Sequence, residues 1–202
     1  TVSARLIHEV GAPAVVEMAK NLGVTSNIPN RPAIALGAVE ITVQEMVAAF
    51  STFANEGVYI KPQLITKIED KNGVVIYQGV EESHDVVNKD VAYSVIKLME
   101  GVTESGTGSR LRWAASAPSN FLTGVPYNIK GPVAGKTGTS QNNSDGWFIG
   151  MVPNLAAGVW VGNEDRSAHF ESTNMGQGAT TALPIYGIFM RKCLADKTLT
   201  IS

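Results

Sequence analysis

Apolar and polar positions along the chain alternate between two periods, and the change of period divides it. Val2, Leu6, Ile7 and Val10 fall on one face of a short helix that Gly11 ends. Pro13 suits the first turn of a second helix, striped by Val15, Met18, Ala19 and Leu22 and closed by Gly23. A Pro/Asn-rich loop, TSNIPNRPA, follows. Thr42-Val-Gln-Glu45 is a capping-box pattern and predicts a helix start. Met46, Val47, Phe50, Phe53 and Ala54 give that helix its apolar face, and Gly57 stops it. Two β-rich runs flank Asn72-Gly73, a strong hairpin signal. A further helix carries Val91, Val95, Leu98, Met99 and Val102 and ends near ESGTGSR.

Residues 109–131 read as irregular. From Val133 the period drops to two, predicting strands over VAGKTGTS, DGWFIGMV and LAAGVWVG with turns at QNNS and at Pro153-Asn154. From about Ala182 the chain is helical again, with Leu183, Tyr186, Met190, Cys193 and Leu194 on one face. Helices, three sequential strands and a packing helix predict one α+β domain with an antiparallel sheet.

Composition narrows the function. At 202 residues the chain can bury a substantial core. A net charge of -2 without a basic block argues against a nucleic-acid partner. No run approaches the ~20 apolar residues needed to span a bilayer, and the N-terminus lacks the layout of a signal peptide. The single Cys193 excludes an internal disulfide and a Cys-rich metal site. His8 falls in the first helix, and His84 and His169 in predicted loops. None has a partner at metal or triad spacing, so no metal or cofactor is expected. Trp147 and Trp160 on the strands, and Met46, Met99 and Met190 on helices, read as core, whereas Trp113 is left unplaced.

The chemistry concentrates in GPVAGKTGTS. A phosphate-binding loop needs four residues between its first Gly and the Gly-Lys pair and must open a helix. Gly131 leaves three, and turn formers rather than a helix follow Thr137. A strand fits better. Lys136 then supplies a cation, Thr137 and Thr139 supply hydroxyls, and Gly138 lets another backbone lie alongside. Lys-Thr-Gly is also one of three motifs shared by penicillin-binding proteins and serine β-lactamases.

The flanks extend that match. IALGAVEITVQEMVAAFSTFANEGVYIKP, MEGVTESGTGSRL, AGKTGTSQNNSDGWFIGMVPNLAAGVWVGNED and ALPIYGIFM, in this order, resemble the transpeptidase domain of class A (bifunctional) penicillin-binding proteins. The resemblance implies their fold and a serine D,D-transpeptidase activity on peptidoglycan. The opening TVSARLIHEVG looks like the segment just after the family's Ser-x-Asn motif. Residues 1–202 are then expected to be the C-terminal part of the domain. The nucleophile-bearing Ser-x-x-Lys and Ser-x-Asn motifs, and a glycosyltransferase domain, would lie upstream. Ser94-Val-Ile-Lys97 matches the first motif only literally, since Ser94 falls inside a helix. Ser172-Thr-Asn174 follows Lys136 instead of preceding it and reads as a polar loop.

On the resemblance, Lys136 and Thr139 are catalytic, and Thr137, Gly138 and Thr139 bind substrate. Thr107, Gly108 and Ser140 line the site, although Gly106-Thr107-Gly108 also reads as a plain helix stop. The implied partners are a stem peptide with a D-Ala-D-Ala donor end, an amine acceptor, β-lactams, and upstream or second-chain polypeptide completing the site. The implied location is the periplasmic face of the bacterial inner membrane, anchored by an upstream helix. Same-chemistry alternatives are a serine β-lactamase or D,D-carboxypeptidase, and a non-enzymatic one is a β-lactam-sensing module. Gly146 departs from the family's usual Ala.

Overall fold

A computed structural model describes residues 2–113 and 126–201. Two short helices, α1 (Val2–Val10) and α2 (Ala12–Asn21), open the chain, with Gly11 at φ 87° between them. Their predicted stripes are only partly covered. Ile7 and Ala12 are buried, whereas Val2, Leu6, Val10, Val15 and Met18 are exposed. A 3-10 segment, Pro32–Leu36, leads to α3 (Val43–Ala54). The capping box at its start is complete: Thr42 Oγ1 accepts from Glu45 N, and the Glu45 carboxylate accepts from Thr42 N.

After Gly57 (φ 94°), strand β1 (Val58–Ile60) begins a pair of two-stranded antiparallel sheets. The predicted hairpin forms between β2 (Lys67–Glu69) and β3 (Val75–Gln78). Asp70 Oδ1 accepts from Asn72 N and Val74 N, and Gly73 adopts φ 81°. β1 instead pairs with β4 (Ser83–Asp85). That pairing puts His84 on a strand and not in the predicted loop, with its ring 5.1 Å from that of Tyr59. No apolar alternation marks Ser83–Asp85, so its strand character comes from the partner.

Helix α4 (Lys89–Glu104) runs beside the main sheet, capped by Asn88. Its buried face is rotated from the predicted stripe. Val91 and Leu98, 45% and 78% exposed, face outward, and Ala92 and Thr103 are buried. These small residues let α4 approach closely, and Thr103 Oγ1 donates to Val133 O at 2.6 Å. The helix stops as expected at the Gly106–Gly108 segment, and a 3-10 turn, Ser109–Arg112, follows. Trp113 then lies under the Arg110 guanidinium, 5.6 Å from its ring centroid. The rest of the segment read as irregular, 114–125, lies outside the described residues.

The main sheet is an antiparallel meander, β5 (Ala134–Thr139), β6 (Asp145–Val152) and β7 (Leu155–Gly162), in that order. A one-turn helix, α5 (Thr173–Gly176), starts where Ser172-Thr-Asn174 was expected to be loop. Helix α6 (Ala182–Ala195) covers one sheet face. Tyr186 packs on Phe148 with ring centroids 4.7 Å apart. Leu111, Ile129, Val133, Leu183 and Met190 complete that core. Burying each such side chain stabilises the fold by about 1.5–3 kcal/mol. Helix α3 takes the opposite face: a Cβ on Gly158 of β7 would lie 2.5 Å from Val47 and 3.4 Å from Val43. Helices on both faces of an antiparallel sheet make the domain α+β, as the sequence predicts.

Candidate active site

Among the described residues, strand β5 lies at one edge of the sheet and pairs only with β6. Cross-strand partners share a face and neighbours along a strand alternate, so the register sorts the motif. Lys136, Ile149 and Gly158 form one row, and Gly138, Trp147 and Trp160 the next, both on the α3 face. Thr137 and Thr139 point to the α6 face.

Lys136 is exposed and its Nζ donates to Thr137 O at 2.8 Å. Gly138 has Trp147 beneath it, where an added Cβ would lie 3.0 Å from Trp147 Cβ. Trp147 and Trp160 have ring centroids 6.4 Å apart. They do not form closed core, contrary to expectation. Trp147 is half-buried and Trp160 is 39% exposed.

The threonines on the other face are held from outside the strand. Thr137 Oγ1 and Thr107 Oγ1 are 2.7 Å apart, which ties the Gly-Thr-Gly segment to β5. Thr139 Oγ1 accepts from Gly178 N at 3.2 Å. Gly178 is required by that approach, since a Cβ there would meet Trp147 O at 2.2 Å and Gly138 O at 2.4 Å. Arg110 Nη1 donates to Ala179 O at 3.2 Å, joining the same loop to the 3-10 turn after α4. Gly178 and Arg110 were not foreseen, since their contacts with β5 and with each other's segments span long stretches of chain.

The two other expected lining residues sit deeper. Gly108 is buried beside Val102, Thr103 and Phe148. Ser140 is half-buried and organises the β5–β6 turn, its Oγ accepting from Asp145 N at 2.9 Å and lying 2.9 Å from Ser144 Oγ. Asp145 in turn accepts from Trp160 Nε1 at 3.0 Å and from Ser144 Oγ at 3.0 Å. Burial works to raise the Asp145 carboxyl, but hydrogen bonding by Ser140, Trp160 and Ser144 and the charge of Arg166 outweigh it. Asp145 is therefore held below the usual carboxylate range.

Gly146 has a local reason for lacking a side chain. A Cβ there would lie 2.0 Å from Thr181 Oγ1, which donates to Gln177 O at 3.1 Å. The literal Ser-x-x-Lys is ordinary helix: Ser94 Oγ donates to Asp90 O at 2.8 Å, and Lys97 pairs with Glu100 at 2.7 Å. Among the described residues no cluster of three metal-ligating side chains occurs.

A Lys-Thr-Gly-Thr edge strand with Lys136 and Thr139 exposed is thus tied by Thr137 to the Gly-Thr-Gly segment that ends α4. Residues 19–183 match the penicillin-binding protein transpeptidase domain, and the chain belongs to that family. It is 32% identical over 191 residues to penicillin-binding protein 1A of Aquifex aeolicus, covering 95% of this chain and 24% of that protein. It is 30% identical to penicillin-binding protein 2D of Bacillus subtilis, with 95% and 26% covered. The chain thus spans about a quarter of the length of these relatives. Among solved structures, penicillin-binding protein 1A from Haemophilus influenzae superposes with a TM-score of 0.82 at 21% identity, over 97% of this chain and 33% of that one. PonA1 from Mycobacterium tuberculosis in complex with penicillin V gives 0.74 at 25% identity, over 95% and 52%.

Proposed function

We propose that Lys136–Thr139 is the receiving wall of a peptidoglycan D,D-transpeptidase site, completed by polypeptide outside these 202 residues. The observation that carries this reading is the open edge of β5, with Lys136 exposed on one face and Thr137 anchored by Thr107 on the other. An extended donor peptide can add to that edge by main-chain hydrogen bonds.

A serine on the completing segment attacks the penultimate D-Ala carbonyl. Its proton passes through the Lys136 network, and the terminal D-Ala leaves with a proton on its nitrogen. The acyl group is then held as a serine ester. An amine of a neighbouring strand attacks the ester, loses a proton, and returns the serine to its hydroxyl form. During both attacks the carbonyl oxygen carries negative charge. Thr139 N–H and the nucleophile's own N–H are the donors assigned to it, and losing one such donor typically costs about 10²–10³ in rate. Thr137 and Thr139 hold the donor's terminal carboxylate. A β-lactam presents a comparable carbonyl and carboxylate and remains as the ester. This chemistry belongs at the periplasmic face of the inner membrane, with the anchor outside the described residues, none of whose helices is long and apolar enough to cross a bilayer.

Intact-mass measurement of the full-length protein after penicillin treatment tests the reading. One adduct of the drug's mass is expected, with Lys136→Ala slowing its formation by about 10²-fold or more. An adduct mapped to Ser94 would overturn the assignment. Steady turnover of a chromogenic β-lactam would instead support a β-lactamase or carboxypeptidase. Reversible binding without acylation would support a sensing module.

A further inference from the structure

A cavity opens on the same sheet face as Lys136. Its volume is about 750 Å³, and Ser26, Asn27, Arg31, Glu40, Thr42 and Arg166 are among its lining residues. Its place follows from the register. Val43 and Val47 of α3 stand over Gly158, which shares a row with Ile149 and Lys136. The cavity surrounds the start of α3 and the chain four residues past the end of β7. Strand spacing puts β7 about 10 Å from β5. On that face Trp147 of β6 lies between them and Trp160 stands on β7 beside it. Arg166 is close enough to the end of this row for its charge to act on Asp145, the partner of Trp160.

The cavity wall is built, and Glu45 builds it. Its carboxylate accepts from Thr25 N, Thr25 Oγ1 and Ser26 N on one oxygen and from Ser26 Oγ, Thr42 N and Thr42 Oγ1 on the other, at 2.7–3.0 Å. These bonds fix the loop bearing Asn27 and Arg31 against the start of α3. They also saturate Glu45 and engage the Ser26 and Thr42 hydroxyls. The charged groups left to meet a ligand are two guanidinium ions and one carboxylate, beside the Asn27 amide. Glu40 pairs with Arg166 loosely, at 3.5 Å with both side chains exposed, whereas Arg31 has no acidic partner among the described residues. Guanidinium groups bind carboxylates through paired N–H donors, so the vacant chemistry is that of a carboxylate site.

We infer that Arg31 and Arg166 form a carboxylate-binding subsite for the amine-bearing acceptor peptide. This assignment rests on the transpeptidase reading above. The donor lies along β5, and an acceptor must approach the same carbonyl from the sheet face that carries Lys136. About three extended residues, at about 3.3 Å each, span the distance from β5 to β7. An acceptor peptide with its amine at the ester therefore brings a carboxylate a few residues away over the tryptophans to the arginines.

The test uses the full-length protein, a D-Ala-D-Ala donor peptide, and two acceptor peptides that differ only in a side-chain carboxylate or its amide. Wild type is expected to transfer to the carboxylate acceptor at least tenfold faster. Arg31→Gln with Arg166→Gln should abolish that preference, leave transfer to the amide acceptor in place, and leave the rate of penicillin acylation unchanged. Arg→Lys at both positions should restore part of the preference. Equal rates with the two acceptors in wild type, or a preference that survives the double substitution, overturn the subsite. Failure of penicillin to acylate the wild type is a different result, which removes the transpeptidase reading itself.

Discussion

The hydroxyls of Thr107 and Thr137 lie 2.7 Å apart although 30 residues separate them in sequence. One belongs to the turn that ends α4 and the other to the edge strand, so this contact sets how that turn sits against β5. Replacing Thr107 by Val keeps the shape and removes the hydroxyl. A neutral hydrogen bond contributes about 0.5–1.5 kcal/mol. Penicillin acylation of the full-length protein should therefore slow by up to about tenfold, since 1.4 kcal/mol is a factor of ten. Unchanged acylation kinetics would show that the pair has no part in shaping the site.

What the sequence revealed of this site was local. Thr42 and Glu45 are three apart, so the capping box announces itself, and Asn72-Gly73 announces its turn. The three strands of the main sheet follow from their alternation and turns. Contacts between distant segments left no such trace. Gly178 looks like any loop glycine until Trp147 O and Gly138 O stand where its Cβ would be. Ser83–Asp85 becomes a strand only because Val58–Ile60 lies beside it. The buried face of α4 departs from its large-residue stripe for a related reason. Large residues dominate a hydrophobic pattern, but close packing on β5 selects small ones, Ala92 and Thr103. Arg31 and Arg166 come together only through the fold.

Glu45 should give the domain a distinctive acid sensitivity. Partial burial works to raise its carboxyl, but hydrogen bonds from Ser26, Thr42 and Thr25 hold it well below the usual carboxylate range. A folded-state value below the unfolded one contributes stability above the unfolded pKa of about 4.3. That contribution is lost as pH falls below this value toward the folded one. Glu45→Gln places an NH₂ among six donors. Allowing for its partial exposure, the substitution should cost about 1–3 kcal/mol at pH 7. Chemical denaturation at pH 7 and pH 3 checks it: the gap between wild type and variant should narrow at the lower pH. A gap that stays constant would mean the carboxylate's charge is not what the network recognises.

Tyr186 predicts the opposite kind of result. Its ring is fully buried against Phe148, and burial pushes the phenol upward from its ordinary value. Among the described residues its hydroxyl has no hydrogen-bond partner. An unsatisfied buried polar group costs about 1–3 kcal/mol. Tyr186→Phe retains the ring packing and removes the group, so thermal unfolding should occur at the same or a higher temperature. A clear drop would reveal a partner, such as a bound water, beneath α6.

Gly146 and Thr181 form a pair whose coupling can be measured. A methyl at position 146 would lie 2.0 Å from Thr181 Oγ1, whose place is fixed by its bond to Gln177 O. Gly146→Ala alone must push Thr181 aside or bend β6, and overpacking of this kind costs about 1–3 kcal/mol. Thr181→Ala alone loses one hydrogen bond, about 0.5–1.5 kcal/mol. In the double variant the hydroxyl that blocked the methyl is gone, and Ala loses less backbone freedom than Gly on entering a strand. Denaturant unfolding of the four proteins should therefore give a favourable coupling of about 1 kcal/mol or more, against the few tenths expected for independent sites. Simple additivity would mean that β6 absorbs the methyl by shifting, and that Thr181 is not what keeps position 146 a glycine.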